Sequence, residues 1–417
     1  MFLRNSFLKP IKEFLFLILA CGLIFLFNLA LEYQNFLSFK EQRHFFIEEA
    51  RLENIQEKLR KNGRKYFVLK LKTADFSFYT TTYKDLNLSK NEFLSLRIIS
   101  ENISFKNYLA KSFYAPSYDF KILAKREENA IISYFLNQHE NEKMREFYGA
   151  LFFAKSVSKE LRNDVNHYGI AHLIAISGYH IGLLFSLIFF LFTPLYSFFQ
   201  KRYFPYRNLR FDLSILIFIL LFFYAYLIGF VPSFTRSLVM ALFGFYLLTK
   251  NIKILSFFNL FLCVLICLSL YPNLLFSVGF FFSILGVFYI FLYLHHFANF
   301  FGVLTNLILI NLWTFLAMII PVLYFFPLIS YQQFLAIFLS LVFVLFYPLV
   351  LLLHLASVGF LFDSFLLEFF AFKFYSTNFI VPFWAFCSYL LLGLFGIYFR
   401  ALAFFGILLN LIPFIFI

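Results

Sequence analysis

Long apolar runs separated by short basic loops constrain the fold of this chain more than any other feature. Hydrophobic residues make up 62% of the sequence, which is more than a soluble core of this size contains. A run of about 20 apolar residues is long enough to cross a bilayer as a helix. The sequence therefore predicts a polytopic α-helical membrane protein.

The first run, from Phe14 to about Leu31, follows a basic N-terminal segment. Its length and the lack of a small-residue cleavage site favour an uncleaved transmembrane helix over a signal peptide. The positive-inside rule then places the N-terminus in the cytoplasm. Basic loops at 200–210 and 250–253 support one orientation for the later helices, and we expect about nine or ten spans.

A polar insertion interrupts the apolar pattern after the first helix. Residues 41–61 are charged and periodic enough to predict a surface helix. Residues 65–72 alternate between apolar and polar, which predicts a strand, and similar segments follow at 76–83, 93–99 and 120–123. Four or five short strands are typical of a small barrel. The predicted organisation is a transmembrane helix (1–31), an extracytoplasmic β-domain (32–139), amphipathic interfacial helices (140–169) and a transmembrane domain (170–417). Apolar residues recur at helical spacing between charges over 140–164, which predicts one continuous amphipathic helix there.

One stretch concentrates polar groups at the mouth of an apolar helix that we expect over about 170–196. Residues 172–182 read His-Leu-Ile-Ala-Ile-Ser-Gly-Tyr-His-Ile-Gly. On a continuous helix Ser177 and His180 would share a face, and Gly178 and Gly182 would form a groove for a neighbouring helix. Polar residues are costly in a bilayer, so the stretch indicates function. In the alternative interpretation, the serine and glycine only pack helices together, and the histidine is only solvated at the membrane interface.

The same stretch resembles the signature of the ComEC family, the inner-membrane channels of bacterial natural transformation. Residues 232–236 resemble the family's Pro-x-x-x-Arg, and residues 277–283 resemble its Ser-x-Gly-Phe-Gln-x-Ser, with Phe281 in place of Gln. The resemblance implies that single-stranded DNA crosses the bacterial inner membrane through the helix bundle, from periplasm to cytoplasm. It also implies an OB-like fold for the extracytoplasmic domain.

Moving a polyanion through a bilayer requires a polar or cationic path. As an alternative to lining this path, Arg236 would extend its side chain to the lipid headgroups. As an alternative to binding DNA, the basic residues of the β-domain would be ordinary solvated surface charges. The candidate channel-lining residues are His172, Ser177, His180, Arg236, Ser277 and Ser283, and the helix-packing glycines are Gly178, Gly182 and Gly279. The candidate DNA-binding residues, chosen as a basic groove with exposed aromatic rings, are Lys70, Lys72, Lys84, Arg97, Lys106, Tyr66, Tyr79 and Tyr83.

The sequence gives no sign of catalysis, of a metal site or of a cofactor. All four cysteines lie in apolar runs, so neither a disulfide framework nor a thiolate metal site is predicted. The sequence contains no phosphate-binding loop. It also has no His-x-His-x-Asp-His cluster, the mark of the metallo-β-lactamase-like domain that many ComEC relatives carry, so we expect a short form. The expected partners are single-stranded DNA, membrane lipids, a periplasmic DNA-binding competence protein and a cytoplasmic helicase or motor, with a homodimer left open.

Two other functions fit parts of the sequence. An intramembrane serine hydrolase of the rhomboid kind would use Ser177 with a histidine on another helix. A transporter of lipids or envelope polymers would use the basic domain to attract anionic headgroups. The long basic insertion has no explanation in the first of these alternatives.

Overall fold

The computed structural model describes residues 11–59, 65–73, 75–83, 88, 92–123, 129–250 and 256–416. The described chain is mostly helical, with a small mixed sheet near its N-terminal end. Six of its helices are long and apolar enough to cross a membrane: Leu15–Glu41, Gly178–Tyr203, Leu209–Leu227, Val278–His296, Val303–Phe325 and Tyr331–Leu355. Shorter apolar helices occupy Ser233–Thr249, Phe257–Leu270, Phe383–Phe395 and Arg400–Phe416. This pattern agrees with the predicted multi-pass membrane protein.

The polar insertion forms one six-stranded sheet in the order β5-β3-β2-β1-β4-β6. The predicted surface helix over 41–61 is wrong, because residues 44–59 of this segment form the long strand β1. It pairs with β2 on one side and β4 on the other, so tertiary pairing overrides its helix-compatible charges. The strands are β1 His44–Leu59, β2 Lys65–Lys72, β3 Ser77–Thr82, β4 Phe93–Ile99, β5 Ser112–Tyr114 and β6 Ser117–Ile122.

The sheet curls around an apolar core without closing into a barrel in the described residues. The Thr80 and Ser117 hydroxyls lie 2.5 Å apart and join β3 to β6, although no ladder connects these two strands. The helix α1 (Ile11–Glu41) extends beyond its predicted end, and its Phe36 and Phe39 enter the core of the sheet. The short helix α2 (Phe105–Leu109) covers the same core. The first transmembrane helix and the β-domain are thus one packed unit.

Three short helices, which we call the collar, connect the sheet to the bundle: α3 (Ala130–Leu136), α4 (Glu142–Phe153) and α5 (Lys159–His167). The amphipathic helix expected from residue 140 breaks at Ala154, whose φ of 51° is left-handed. Most of α4 is buried against helices of the bundle, so protein covers much of the face that we expected to lie on lipid. Buried Asp164 pairs with Lys143 at 2.6 Å and also with Lys373, which fixes α5 to the later chain.

The remaining chain forms the helix bundle and a two-stranded sheet. The predicted continuous helix from residue 170 is wrong, because the chain is extended between α6 and α7. The helices are α6 Ala171–Ile174, α7 Gly178–Tyr203, α8 Leu209–Leu227, α9 Pro232–Thr249, α10 Phe257–Leu270, α11 Val278–His296, α12 Val303–Phe325, α13 Leu335–Leu355, α14 Asp363–Ala371, α15 Phe383–Phe395 and α16 Arg400–Leu409. The strands are β7 Leu328–Ser330 and β8 Ser376–Asn378, which pair antiparallel.

Helix α13 contacts the chain that follows the β-domain near both of its ends. Just before it begins, Gln333 donates to the carbonyl of Asn166 at 3.2 Å. At its end, His354 contacts His139 at 2.9 Å. His354 is 0% exposed and lies against the collar.

Candidate functional site

Ser177 and His180 begin helix α7 with a reciprocal cap. The Ser177 hydroxyl accepts the Tyr179 N–H at 3.3 Å, and His180 Nδ1 accepts the Ser177 N–H at 3.2 Å. Ser177 therefore lies just before the helix and not on its face. His180 is buried, and its Nε2 has no hydrogen-bond partner in the described residues.

Arg236 lies in the first turns of α9, which begins with Pro232. A proline suits the first helical position, because that residue has no intrahelical N–H bond to lose. The Arg236 side chain is buried at 4% exposure, and its guanidinium lies 5.7 Å from the centre of the Phe280 ring. Its Nε is buried without a hydrogen-bond partner, and no carboxylate pairs with it in the described chain. An unpaired buried charge is costly, so this guanidinium is suited to an anion that arrives from outside the protein.

Ser277 is the N-cap residue of α11, as Ser177 is of α7. Its hydroxyl accepts the Phe280 N–H at 3.2 Å. A Cβ atom on Gly279 would lie 4.0 Å from Arg236 Nη1. Gly279 is exposed and Ser283, further along α11, is partly exposed. The start of α11 therefore lies directly in front of the Arg236 guanidinium.

The three motif segments meet at the N-terminal ends of their helices. A Cβ on Gly178 would lie 3.6 Å from Ser237 Oγ, which joins the start of α7 to α9, and Gly279 joins the start of α11 to Arg236. Each N-terminus carries about half a positive charge from its helix dipole. Together with Arg236 they form a cationic cluster that can attract an anion. The cluster is closed in this structure, because His180 and Arg236 are both buried.

His172 lies on α6, beside the cluster. Its Nδ1 is 3.1 Å from the carbonyl of Gly169, and its Nε2 is 3.3 Å from the Ser340 hydroxyl on α13. The residue is exposed, yet desolvation by surrounding protein lowers its pKa. A Cβ atom on Gly182 would meet no neighbouring element within 4 Å among the described residues, so no close helix contact is seen there.

The geometry around Ser177 gives no support to a serine hydrolase. The imidazole beside the Ser177 hydroxyl is His180, at 3.4 Å and only three residues along the same chain. Because His180 Nδ1 already accepts the Ser177 backbone N–H, it is poorly placed to take the hydroxyl proton as well. No histidine from another helix hydrogen-bonds to Ser177 in the described residues.

Five of the eight predicted DNA-binding residues lie on one outer surface of the sheet. Buried Leu69 and Leu71 alternate along β2 with residues that point outward, so Lys70 and Lys72 share the outer face with Tyr66. We call this surface, formed by Tyr66, Lys70, Lys72, Tyr79 and Tyr83, the tyrosine–lysine face. Lys70 on this face is paired with Glu53 at 2.6 Å.

The other three predicted DNA-binding residues lie elsewhere. Arg97 is on the other half of the sheet, 5.8 Å from the Phe46 ring and 3.9 Å from Asp119. Lys106 is exposed on α2, and Lys84 lies outside the described residues.

Two basic residues that border this face were not predicted from the sequence. A recess of about 150 Å³ brings Lys58 of β1 and Arg162 of α5 beside Lys70 and Tyr79. Arg162 is remote in sequence from the strands, so no local pattern could have associated it with them. Lys58 lies opposite Tyr66 in the β1–β2 ladder, an association that was lost when the segment was interpreted as a helix.

Comparison with known proteins adds one match to this geometry. A family model described as "Competence protein" matches residues 153–416, which include all three motif segments and more than half of the chain. Comparisons with curated proteins and with solved structures give no match.

Proposed function

The chain belongs to the competence protein family, as its ComEC-like motifs predicted, and from this we propose that it carries single-stranded DNA across the bacterial inner membrane during natural transformation. In this proposal it acts as a channel and not as an enzyme. The observation that carries the proposal is the unpaired, buried Arg236 where the starts of α7, α9 and α11 meet.

The cationic cluster is suited to phosphodiesters. A guanidinium can hold two oxygens of one phosphate, and helix N-termini supply further N–H donors. Because Arg236 is buried, we infer that the bundle must open before a strand can pass. A passing phosphate would then satisfy a charge that the closed protein leaves without a carboxylate.

The tyrosine–lysine face is the proposed receiving surface. Exposed tyrosine rings can stack on bases whatever their sequence, and lysines supply a salt-dependent attraction for phosphates. The curled sheet, joined to the collar where Ser156 donates to the carbonyl of Glu53, would keep a bound strand near the bundle. We propose that the sheet acts as an OB-like binding domain, and that other competence proteins deliver the DNA and pull it inward.

Arg236→Gln tests the proposal. We expect this variant to take DNA into the periplasm normally but to lose most DNA transfer to the cytoplasm, because an amide cannot hold successive phosphates. The measurement compares protected labelled DNA outside the cytoplasm with DNA recovered inside, in cells with equal amounts of inserted protein.

Arg210→Gln is the matched control. Arg210 is an exposed arginine near the start of α8, away from the cluster, so its loss should leave transfer unchanged. Normal transfer in the Arg236 variant, or an equal loss in both variants, would remove Arg236 from the path.

A further inference from the structure

A chain of hydrogen-bonded titratable side chains lies outside the cationic cluster, where the collar meets α13 and α14. The two Asp363 oxygens lie 3.0 and 2.9 Å from His139 Nδ1. His139 Nε2 lies 2.9 Å from His354 Nε2, and His354 Nδ1 lies 2.7 Å from the Val350 carbonyl oxygen. His139 and His354 are 1% and 0% exposed, so water does not reach their contact.

Backbone contacts close the same region tightly. Gln138 donates to the His354 carbonyl at 2.9 Å, and the Gly359 N–H donates to Gln138 Oε1 at 2.8 Å. We call this assembly of Gln138, His139, His354, Gly359 and Asp363 the joint. It connects the end of α3 to the end of α13 and the start of α14.

The number of protons in the joint follows from which atoms can donate. A carbonyl oxygen only accepts, so His354 Nδ1 must carry a proton. The contact between the two Nε2 atoms needs a second proton, and the contact between His139 and Asp363 needs a third. Two neutral imidazoles and an ionised carboxylate supply only two. The closed joint therefore holds one additional proton, which brings its net charge to zero.

Loss of that proton leaves the joint with a repulsive contact. Either the two Nε2 lone pairs face each other, or the His139 Nδ1 lone pair faces the Asp363 carboxylate. A net negative charge would also remain in a poorly hydrated site. Desolvation already raises the pKa of Asp363, which agrees with a site that disfavours this charge.

The groups around the joint do not replace this proton. The Tyr148 ring stacks on His139 with centroids 4.3 Å apart, and burial raises the Tyr148 pKa, so its phenol stays neutral. Arg145 of α4 donates to the His139 carbonyl at 2.9 Å and stays charged. Tyr134 of α3 shares a hydrogen bond with Ser357. In the described residues, the additional proton is therefore shared among Asp363, His139 and His354.

We propose that the joint is a proton-binding site that fastens the collar to α13 and α14 only while it holds its additional proton. The ligand is a proton exchanged with water through Asp363, whose side chain is 15% exposed. This inference rests on the geometry of the joint and is independent of the role in DNA uptake.

Helix α13 connects the joint to the cationic cluster. Its Phe343 and Tyr347 rings lie 5.5 and 5.0 Å from the ring of His180, and His354 lies two turns beyond Tyr347. Opening the joint therefore loosens a helix that covers the start of α7.

The pH dependence of the joint has a definite sign. In the open state both imidazoles are hydrated, and a hydrated imidazole has an ordinary pKa of about 6.5. Above this pH the open state binds fewer protons than the closed state, so closure weakens by up to about tenfold per pH unit. Below it, both open histidines take up protons and closure weakens again. Closure is therefore strongest near the ordinary histidine pKa.

Hydrogen exchange of the Gly359 amide measures opening directly, because that N–H is bonded across the joint. We expect the protection factor of the peptide containing Gly359, corrected for intrinsic exchange rates, to fall by up to about tenfold per unit from pH 7 to 8.5. The measurement uses the full chain in lipid nanodiscs. A protection factor that stays constant in the wild-type protein would overturn the proposal, whatever the variants do.

Asp363→Asn removes the need for the proton. The amide can donate to His139 Nδ1, and His139 Nε2 can then donate to His354 while both imidazoles stay neutral. We expect protection in this variant to be constant from pH 7 to 8.5, and Glu368→Gln, an exposed site on α14, to behave like the wild-type protein. A wild-type slope that persists in Asp363→Asn would overturn the assignment of the proton to the joint.

Discussion

At the scale of single residues, the sequence indicated candidate polar side chains but did not predict their contacts. The sequence indicated Ser177 and His180 as a polar pair, and the structure shows a reciprocal cap between them. His139 and Asp363 were not associated, because 224 positions separate them and neither lies in a local motif. Contacts between distant segments leave no periodic signal in one sequence.

Gly359 offers a residue-scale prediction about the joint. A Cβ atom there would lie 2.7 Å from Gln138 Oε1 and from the His354 ring, and no rotation of the new methyl group relieves this. Gly359→Ala should therefore destabilise the protein by about 1–3 kcal/mol, as overpacking does. Thermal unfolding in detergent micelles measures the change.

Gly286→Ala is the control for this prediction, because a Cβ on Gly286 of α11 meets no atom within 4 Å in the described structure. Alanine is the better helix former, so this variant should unfold at an equal or higher temperature. Equal unfolding temperatures for Gly359→Ala and the wild-type protein would contradict the close packing of the joint.

At the scale of elements, alternation predicted strands wherever it was clear. Residues 65–72 and 93–99 are strands with the predicted ends. Strand β1 was mistaken for a helix because charged residues mask its alternation, and only its pairing with β2 and β4 decides its structure. The helices α4 and α5 were predicted as one, because a break at Ala154 has neither glycine nor proline to announce it.

The tyrosine–lysine face gives a prediction at this scale. Tyr79→Ala should weaken the binding of a short single-stranded oligonucleotide by about 1–3 kcal/mol without changing its salt dependence, because it removes a stacking ring. Lys72→Ser should reduce the slope of log affinity against log salt by about one, because it removes a phosphate contact. Fluorescence anisotropy at several salt concentrations measures both quantities.

Tyr118→Ala, an exposed tyrosine on β6 beside Arg97, controls for the general loss of a surface ring. Its affinity should match that of the wild-type protein. If Tyr79→Ala and Tyr118→Ala weaken binding equally, or neither does, the face is not the binding surface.

At the scale of the whole molecule, composition was sufficient to predict a multi-pass helical membrane protein, and the three motifs were sufficient to indicate the competence family. The meeting of those motifs at the starts of α7, α9 and α11 required the structure, since sequence spacing does not reveal which helices are neighbours. The packing of the collar against α13 could not be predicted either, because these segments are far apart in the sequence, on either side of the motif helices.

The central claim is that a DNA strand passes the meeting point of these three helices. A photoreactive phenylalanine derivative at Gly279, in front of Arg236, should cross-link to labelled single-stranded DNA during uptake. The same group at Phe190, which is 77% exposed on α7, should not, because we expect that position to face lipid. Cross-linking at Gly279 alone is the result that we predict, whereas equal cross-linking at both positions, or DNA captured only at Phe190, would contradict the account.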